Sequence, residues 1–143
     1  MLRLVYHCAA LLPLAHALVT PSSGSFQVLK RIPVAGGTLT RFSHQSSETK
    51  TTMTGAVFMP PGVEYAEEVP ALYWLSGLTC TDENFCAKAG AFAHAARQRL
   101  ALVMPDTSPR GAGVPGEEDA YDLGTGAGFY IDATASPWAE NYR

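Results

Sequence analysis

Apolar and polar residues alternate in one segment of the chain, and a second β-type segment follows it closely. Residues 37–45 (GTLTRFSHQ) alternate with a period of two, and residues 51–59 (TTMTGAVFM) are rich in Thr, Val and aromatic side chains. Polar residues 46–50 lie between them. A short polar loop between two such segments predicts an antiparallel β-hairpin, and Pro60-Pro61-Gly62 predicts its end.

Two continuous apolar runs follow, and a helical pattern separates them. Residues 71–75 (ALYWL) and 100–104 (LALVM) have the length of strands, and an apolar run without alternation predicts a strand buried on both faces of a parallel sheet. Between them, apolar side chains recur at the spacing of one helix face. These side chains are Phe85, Ala89, Phe92, Ala96 and Leu100. The order strand, helix, strand predicts a βαβ unit.

The helix has candidate start and break positions. Thr81 or Asp82 can cap its first turn. Gly90 weakens a helix by up to ~1 kcal/mol relative to Ala, which leaves open whether one helix or two shorter pieces form. Asp106, after the second apolar run, is expected to cap a turn through its side chain. Together these elements predict a mixed α/β fold that begins with an antiparallel hairpin.

The segment 105–137 is rich in Pro and Gly, and its length without regular structure is uncommon unless it is functional or disordered. Apolar side chains embedded in it predict a loop packed on a surface rather than a free tail. These side chains are Tyr121, Phe129, Tyr130, Ile131 and Trp138.

Composition narrows the class of protein. The 143 residues carry a formal net charge of −3, which supplies no basic face for nucleic acid. A hydrophobic fraction of 47% excludes a mainly disordered chain, and three cysteines exclude a disulfide-stapled scaffold. No apolar run reaches the roughly 18 residues that span a membrane. We therefore expect a globular protein with no nucleic-acid partner and no membrane span.

Residues 1–17 have the composition of a targeting segment. Arg3 precedes an apolar stretch over residues 4–15, and Ala15-His16-Ala17 has the small-x-small form of a signal-peptidase site. This pattern predicts entry into the secretory pathway. An amphipathic first helix is the alternative, although Pro13 interrupts such a helix.

Residues 18–33 are predicted to be a linker or a transit-like segment. This stretch is Ser-rich and contains no acidic residue, since the first one in the chain is Glu48. Such composition is typical of transit peptides, so a signal followed by a transit stretch would address a plastid. A plain flexible linker is the alternative for residues 18–25. The folded domain is expected over residues 34–143.

The candidate chemistry lies at residues 76–81 (SGLTCT), where the first apolar run ends and the helix begins. Ligands of open α/β sheets bind at the carboxyl ends of strands. Gly77 lets the backbone turn sharply, and N–H groups exposed there can bind an anion or a developing oxyanion. An ordinary strand-to-helix turn is the alternative on spacing alone.

The two cysteines near this turn leave several interpretations open. Cys80 lies near a helix start, where a thiolate is favoured, so it is either a modification-sensitive thiol or a small packed side chain. Cys80 and Cys86 could pair in an oxidising compartment, although a helical start between them disfavours the geometry. Two Cys without suitably spaced His predict no zinc site.

Five segments, in this order, closely resemble the S-formylglutathione hydrolases of the esterase D family. They are LYWLSGLTCTDENF (72–85), KAG (88–90), ALVMPDTSPRG (101–111), YDLGTGAGFYIDAT (121–134) and PWAENYR (137–143). The resemblance extends over about residues 35–143. It implies the N-terminal half of an α/β-hydrolase fold, in which an antiparallel hairpin leads into a mostly parallel sheet.

The resemblance also implies an activity. Such serine thioesterases hydrolyse S-formylglutathione to glutathione and formate in formaldehyde detoxification, cleave simple esters, and use no metal or organic cofactor. One oxyanion-hole N–H comes from the loop after the third strand. That position matches the Leu78 N–H, with Gly77 shaping the turn. Thr79, Cys80 and Trp138 are placed near the active site, with core packing as the alternative for Trp138.

The family's nucleophile elbow, G-x-S-x-G, is not found in this sequence. In α/β-hydrolases the triad follows in the order Ser, Asp or Glu, His, so all three catalytic residues are expected beyond Arg143. The sequence therefore predicts that these 143 residues are inactive alone. Alternatives are complementation by a separately encoded second half and a non-catalytic secreted binding module, which a homodimer would stabilise. The family resemblance implies a cytoplasmic location.

Overall fold

The structure is a computed structural model that describes residues 26–63, 67–127 and 132–143. The predicted signal and the predicted linker as far as residue 25 lie outside these ranges. The elements are β1 Gln27–Val34, β2 Gly37–Gln45, β3 Thr52–Met59, β4 Ala71–Tyr73, α1 Asp82–Lys88, α2 Phe92–Arg97, β5 Ala101–Pro105 and a 3₁₀ turn at Trp138–Glu140. The five strands form one sheet with the order β1-β2-β3-β5-β4, which carries the two short helices.

The predicted hairpin is confirmed. β2 and β3 pair antiparallel from Thr38 opposite Met59 to Gln45 opposite Thr52. Their polar connection is closed by the Ser46 N–H, which donates to the Thr51 carbonyl at 2.9 Å. The period-two alternation of β2 fits a strand that buries one face, because successive side chains point to opposite sides of a sheet.

β1 corrects the predicted linker. Residues 27–34 pair antiparallel with β2, from Gln27 opposite Ser43 to Val34 opposite Gly37, whereas the sequence indicated a linker through residue 33. The strand lies at the edge of the sheet, and six of its eight side chains are exposed. An exposed edge strand needs no regular apolar alternation, so its sequence carries little β signal.

A tight turn and a bulge shape β1. Ala35 and Gly36, with φ of +50° and +77°, join it to β2, and two left-handed residues are the conformation that matches the twist of hairpin strands. Near the other end, the register shifts between Val28 and Lys30. Leu29 therefore lies in a β-bulge.

Thr81 caps α1, and Gly90 separates α1 from α2. The Thr81 hydroxyl accepts the Glu83 N–H at 3.2 Å, and the Asn84 side-chain oxygen accepts the Thr81 N–H at 2.8 Å. This reciprocal pair is a capping box. Gly90 has φ of +61°, a left-handed conformation that ends helices. The predicted helix thus forms as two pieces.

The core lies between the centre of the sheet and the two helices. Phe58 of β3 and Leu102 and Met104 of β5 are at most 2% exposed. The Phe92 ring of α2 lies 5.1 Å from the Phe58 ring. Four of the five predicted helix-face residues pack against this core, namely Phe85, Phe92, Ala96 and Leu100, whereas the fifth, Ala89, is exposed.

β4 corrects in part the prediction made for the apolar run 71–75. It pairs in parallel with β5, as the βαβ pattern predicts, but it lies at the edge of the described sheet. Its run is not buried on both faces: residues 72–75 (LYWL) are 45–54% exposed. An apolar run specifies hydrophobic side chains but not how many strands and helices cover them. By contrast, residues 101–104 of β5 are buried between β3 and β4.

Candidate functional site

The turn Gly77–Cys80 connects β4 to the cap of α1. The Cys80 N–H donates to the Gly77 carbonyl at 3.1 Å, which closes a four-residue β-turn. Thr79, its third residue, has φ of +65°. The left-handed residue of the turn is therefore Thr79 and not Gly77, where an added Cβ would meet no described atom within 4 Å.

Leu78 presents an unused donor in this turn. Its side chain is 47% exposed, and its N–H donates to no acceptor in residues 26–63, 67–127 and 132–143. The position is the carboxyl end of a parallel strand, directly before a helix, where ligands of α/β sheets bind. A free N–H there can donate to an anion; its assignment to an oxyanion hole stays a prediction.

Gly126, in the loop after β5, approaches the turn closely. The Thr79 N–H donates to the Gly126 carbonyl at 2.8 Å. Gly126 has φ of +81°, and a Cβ there would lie 3.3 Å from Thr79 Cα, so both conformation and space favour glycine. Its own N–H donates to the hydroxyl of Ser108 at 2.9 Å, a side chain that is 2% exposed. The glycine-rich segment thus supports the turn.

Arg110 joins the same turn to the end of β5. Its Nη2 donates to the Cys80 carbonyl at 3.1 Å. Its Nε and Nη2 also donate to Asp106 Oδ2 at 2.6 Å and Oδ1 at 3.3 Å. Asp106 is 5% exposed, and its carboxylate raises the pKa of the Arg110 guanidinium above its ordinary value. Asp106 also accepts the Ser108 N–H at 3.2 Å, which confirms its predicted role in capping a turn.

A second ion pair anchors the first turn of α1. Asp82 is fully buried, and Arg41 of β2 donates to its two carboxylate oxygens at 2.6 and 3.1 Å. The Thr54 hydroxyl of β3 donates to Asp82 Oδ1 at 3.2 Å. This pairing raises the pKa of Arg41. The segment 76–82 is therefore tied to the sheet through Asp82 and to the loop after β5 through Thr79 and Cys80.

The two cysteines of the site are free thiols. The Cys86 thiol donates to the Asp82 carbonyl at 3.3 Å and contacts the Met104 sulfur at 3.8 Å. Burial, and then the nearby Asp82 carboxylate, raise the pKa of Cys86 to about 11, so it stays a neutral, weakly nucleophilic thiol at neutral pH. Cys80 is half-buried in the turn, and its sensitivity to modification stays a prediction.

The predicted apolar anchors of the long loop have different outcomes. Trp138 packs edge-to-face on Tyr142, with 5.0 Å between ring centroids, so packing is its observed role and its place near the active site stays a prediction. Tyr121 is 75% exposed and is not an anchor, since it lies in a turn whose side chains face outward. Residues 129–131 lie outside the described residues.

Sequence reasoning located the turn but missed its supports. Thr79 carries no local signal for a left-handed conformation, because glycine and not threonine is typical there. Arg110 and its acceptor Cys80 are 30 residues apart in the chain, so no spacing pattern joins them. The Pro- and Gly-rich segment 105–137 was the one usable signal, since its apolar side chains predicted a loop packed on a surface.

Metal ligation and membrane spanning have no structural support within the described ranges. Nowhere in residues 26–63, 67–127 and 132–143 do three or more His, Cys, Asp or Glu side chains gather as they would around a metal ion. Neither of the helices described there combines the length and apolar character required to cross a membrane.

Comparison with known sequences gives consistent matches. A family model described as "Putative esterase" matches residues 46–143. The S-formylglutathione hydrolase of Mus musculus is 52% identical over 108 residues, and that of Paracoccus denitrificans (strain Pd 1222) is 53% identical over 108 residues. Each match covers 76% of this chain and 38% of the relative. The chain therefore spans well under half the length of these curated relatives.

A solved structure agrees with the sequence matches. The S-formylglutathione hydrolase from Agrobacterium tumefaciens superimposes with a TM-score of 0.77 and 44% identity, over 82% of this chain and 42% of that one. This similarity confirms the predicted family resemblance and the α/β-hydrolase type of fold. Nothing in the comparisons supports the alternative of a non-catalytic binding module.

Proposed function

The chain belongs to the esterase family, and from this premise we propose that it supplies one side of the oxyanion hole of a hydrolase that cleaves S-formylglutathione to glutathione and formate. The observation that carries the proposal is the Leu78 N–H, which has no acceptor among the described residues and lies in a turn that Gly126 and Arg110 hold at the carboxyl end of β4. Identities of 52% and 53% to S-formylglutathione hydrolases support the substrate class.

The chemistry assigns a defined task to this N–H group. A serine attacks the formyl carbon, and the carbonyl oxygen gains negative charge in the tetrahedral intermediate. The Leu78 N–H donates to that oxygen, with a second donor from the residue after the nucleophile. The carbon–sulfur bond then breaks, glutathione leaves with a proton from the catalytic histidine, and water releases formate from the formyl-enzyme.

We further propose that these 143 residues do not turn over substrate by themselves. They contain no G-x-S-x-G segment, so the nucleophile has to come from polypeptide outside them. A preorganised oxyanion donor without a nucleophile can bind negative charge but forms no acyl-enzyme.

A chimera tests both statements. The matched residues of this chain replace the corresponding 108 residues of the Paracoccus denitrificans enzyme, and hydrolysis of S-formylglutathione is followed for the chimera and for the 143-residue chain. We expect turnover by the chimera and none by the chain alone. A folded chimera without turnover contradicts the proposed function, and turnover by the purified chain contradicts its inactivity.

A substitution at Leu78 tests the oxyanion donor itself. Leu78 occupies the second position of the turn, where proline is favoured, so Leu78→Pro removes the N–H without breaking the turn. We expect kcat of the chimera to fall on the order of 10²–10³-fold, as for the loss of other oxyanion-hole donors. Leu78→Ala keeps the N–H and is the matched control. Equal kcat values for the two variants contradict the assignment.

The location of the protein is also a proposal. We propose that residues 1–17 direct the chain into the secretory pathway, on the basis of the apolar stretch and the Ala15-His16-Ala17 site. Sequencing the N-terminus of the protein isolated from its source tests this directly. A mature chain that starts at Leu18 is expected, and an intact Met1 contradicts it.

A further inference from the structure

Thr79 holds a backbone conformation that its side chain disfavours. Its φ of +65° lies in the left-handed region, where a β-branched residue is an outlier. Four described non-glycine residues have positive φ, and Thr79 alone among them is β-branched; the others are Ala35, Lys50 and Arg99. Such a conformation persists only where the surrounding structure enforces it.

Two contacts from the loop after β5 enforce it from opposite sides. On the N-terminal side of the Thr79 Cα, the Thr79 N–H donates to the Gly126 carbonyl at 2.8 Å. After it, the Cys80 carbonyl accepts from Arg110 Nη2 at 3.1 Å. Arg110 is itself immobilised by its two hydrogen bonds to Asp106, whose carboxylate is almost fully buried.

We propose that Arg110 is a positioning residue for the turn: its bridge between Asp106 and the Cys80 carbonyl keeps Thr79 left-handed and so holds the Leu78 N–H free for the developing oxyanion. The assignment of an oxyanion as the ligand rests on the proposed function. The bridge calls for arginine because a guanidinium fork can bind both carboxylate oxygens and a carbonyl at once, whereas lysine is a point charge.

Amide hydrogen exchange of the 143-residue chain, measured by NMR, tests the conformational part. Arg110→Lys keeps the charge but removes the fork. We expect the Thr79 and Cys80 amides to exchange about fivefold faster or more, the effect of losing one typical hydrogen bond, while the amides of β3 and β5 are unchanged. Arg99→Lys, which alters an exposed ion pair with Glu67, is the control and leaves both turn amides unchanged. Unchanged exchange in Arg110→Lys overturns the proposal.

A second substitution distinguishes support of the turn from general stabilisation. Glycine adopts the left-handed conformation without strain, so in a Thr79→Gly background the turn needs Arg110 less. We expect the effect of Arg110→Lys on the Cys80 amide to shrink to less than about twofold there, as expected for two coupled sites. If Arg110 instead stabilises the fold as a whole, Arg110→Lys speeds the exchange of the Cys80 amide equally in both backgrounds. That result overturns the proposal.

The chimera separates this inference from the proposed function. There, Arg110→Lys is expected to lower kcat about tenfold or more with little change in KM, because the donor acts mainly in the transition state. A chimera with native residues that fails to turn over contradicts the proposed function, while the exchange data still decide the role of Arg110. An active chimera whose kcat does not respond to Arg110→Lys overturns the positioning role.

Discussion

β4 and β5 are adjacent parallel strands with similar apolar sequences, yet their environments differ sharply. Residues 101–104 of β5 are at most 8% exposed, whereas residues 72–75 at and after β4 are 45–54% exposed. β5 has a strand on each side and both helices against it. β4 has one described neighbour, β5. The difference shows that an apolar strand becomes core only through the elements that flank and cover it.

The strongest test of this difference in burial places the same charge in both strands. Leu102→Asp puts an unpaired carboxylate at a site that is 2% exposed, at a cost of several kcal/mol, which is a large part of the roughly 5–15 kcal/mol that stabilises a domain. We expect no cooperative urea transition by circular dichroism. Leu72→Asp, at a site that is 45% exposed, is the control and retains the transition; loss of folding in both variants contradicts the comparison.

The Arg41–Asp82 ion pair holds α1 against the sheet, and removing Arg41 tests how much this anchor contributes to stability. Arg41→Ala leaves the buried Asp82 carboxylate without its ion-pair partner, and such changes destabilise by about 3 kcal/mol or more. The free energy of unfolding from urea titration measures this. The control is Arg99→Ala, which breaks an exposed ion pair and is expected to cost less than about 1 kcal/mol. Equal losses in the two variants contradict an anchoring role for Arg41.

The exposed side of the comparison is tested by an apolar dye. Leu72→Ser replaces a half-exposed side chain, so we expect the free energy of unfolding to change by no more than about 1 kcal/mol. Fluorescence of the dye with the folded variant is expected to be lower than with the unsubstituted chain, because the variant has lost apolar surface from an exposed patch. An unchanged dye signal together with a large loss of stability would mean that Leu72 is buried, which contradicts its exposure in the structure.

The smallest expected change in stability concerns the Cys86 thiol of α1, which contacts Met104 of β5. Cys86 has a folded pKa of about 11 against an ordinary value of 9.0. Because its proton is held more tightly in the folded state, its contribution to stability is complete below pH 9 and is lost as the pH rises to about 11. Unfolding titrations across this window are expected to show the loss, and Cys86→Ala to reduce it. A decline of the same size in Cys86→Ala assigns it to other groups.

Local signals predicted the parts of the fold that are determined locally. The β2–β3 hairpin follows from alternation and a polar loop. For the helix, the sequence indicated Thr81 or Asp82 as the start and left open one helix or two, and the structure selects Thr81 and two helices. β1 was missed because an edge strand with exposed side chains has no regular apolar pattern. The exposure of β4 was missed because the number of neighbouring strands is not encoded in the apolar run itself.

The candidate site divides in the same way. The position of the turn before α1 could be predicted from a strand end, a glycine and a helix cap within a few residues. The conformation of Thr79 could not, because it depends on Gly126 and Arg110, which lie in the loop after β5, far from Thr79 along the chain. Contacts over such sequence separations are a property of the folded sheet rather than of any local pattern.

The bulge at Leu29 helps to protect one edge of the sheet from pairing with another chain. Near it, β1 interrupts its regular hydrogen-bond spacing, carries Lys30 and Arg31, and contains Pro33, which offers no N–H. A foreign strand that approaches this edge meets an irregular and positively charged ladder. The β1 edge is therefore a poor site for the addition of another strand.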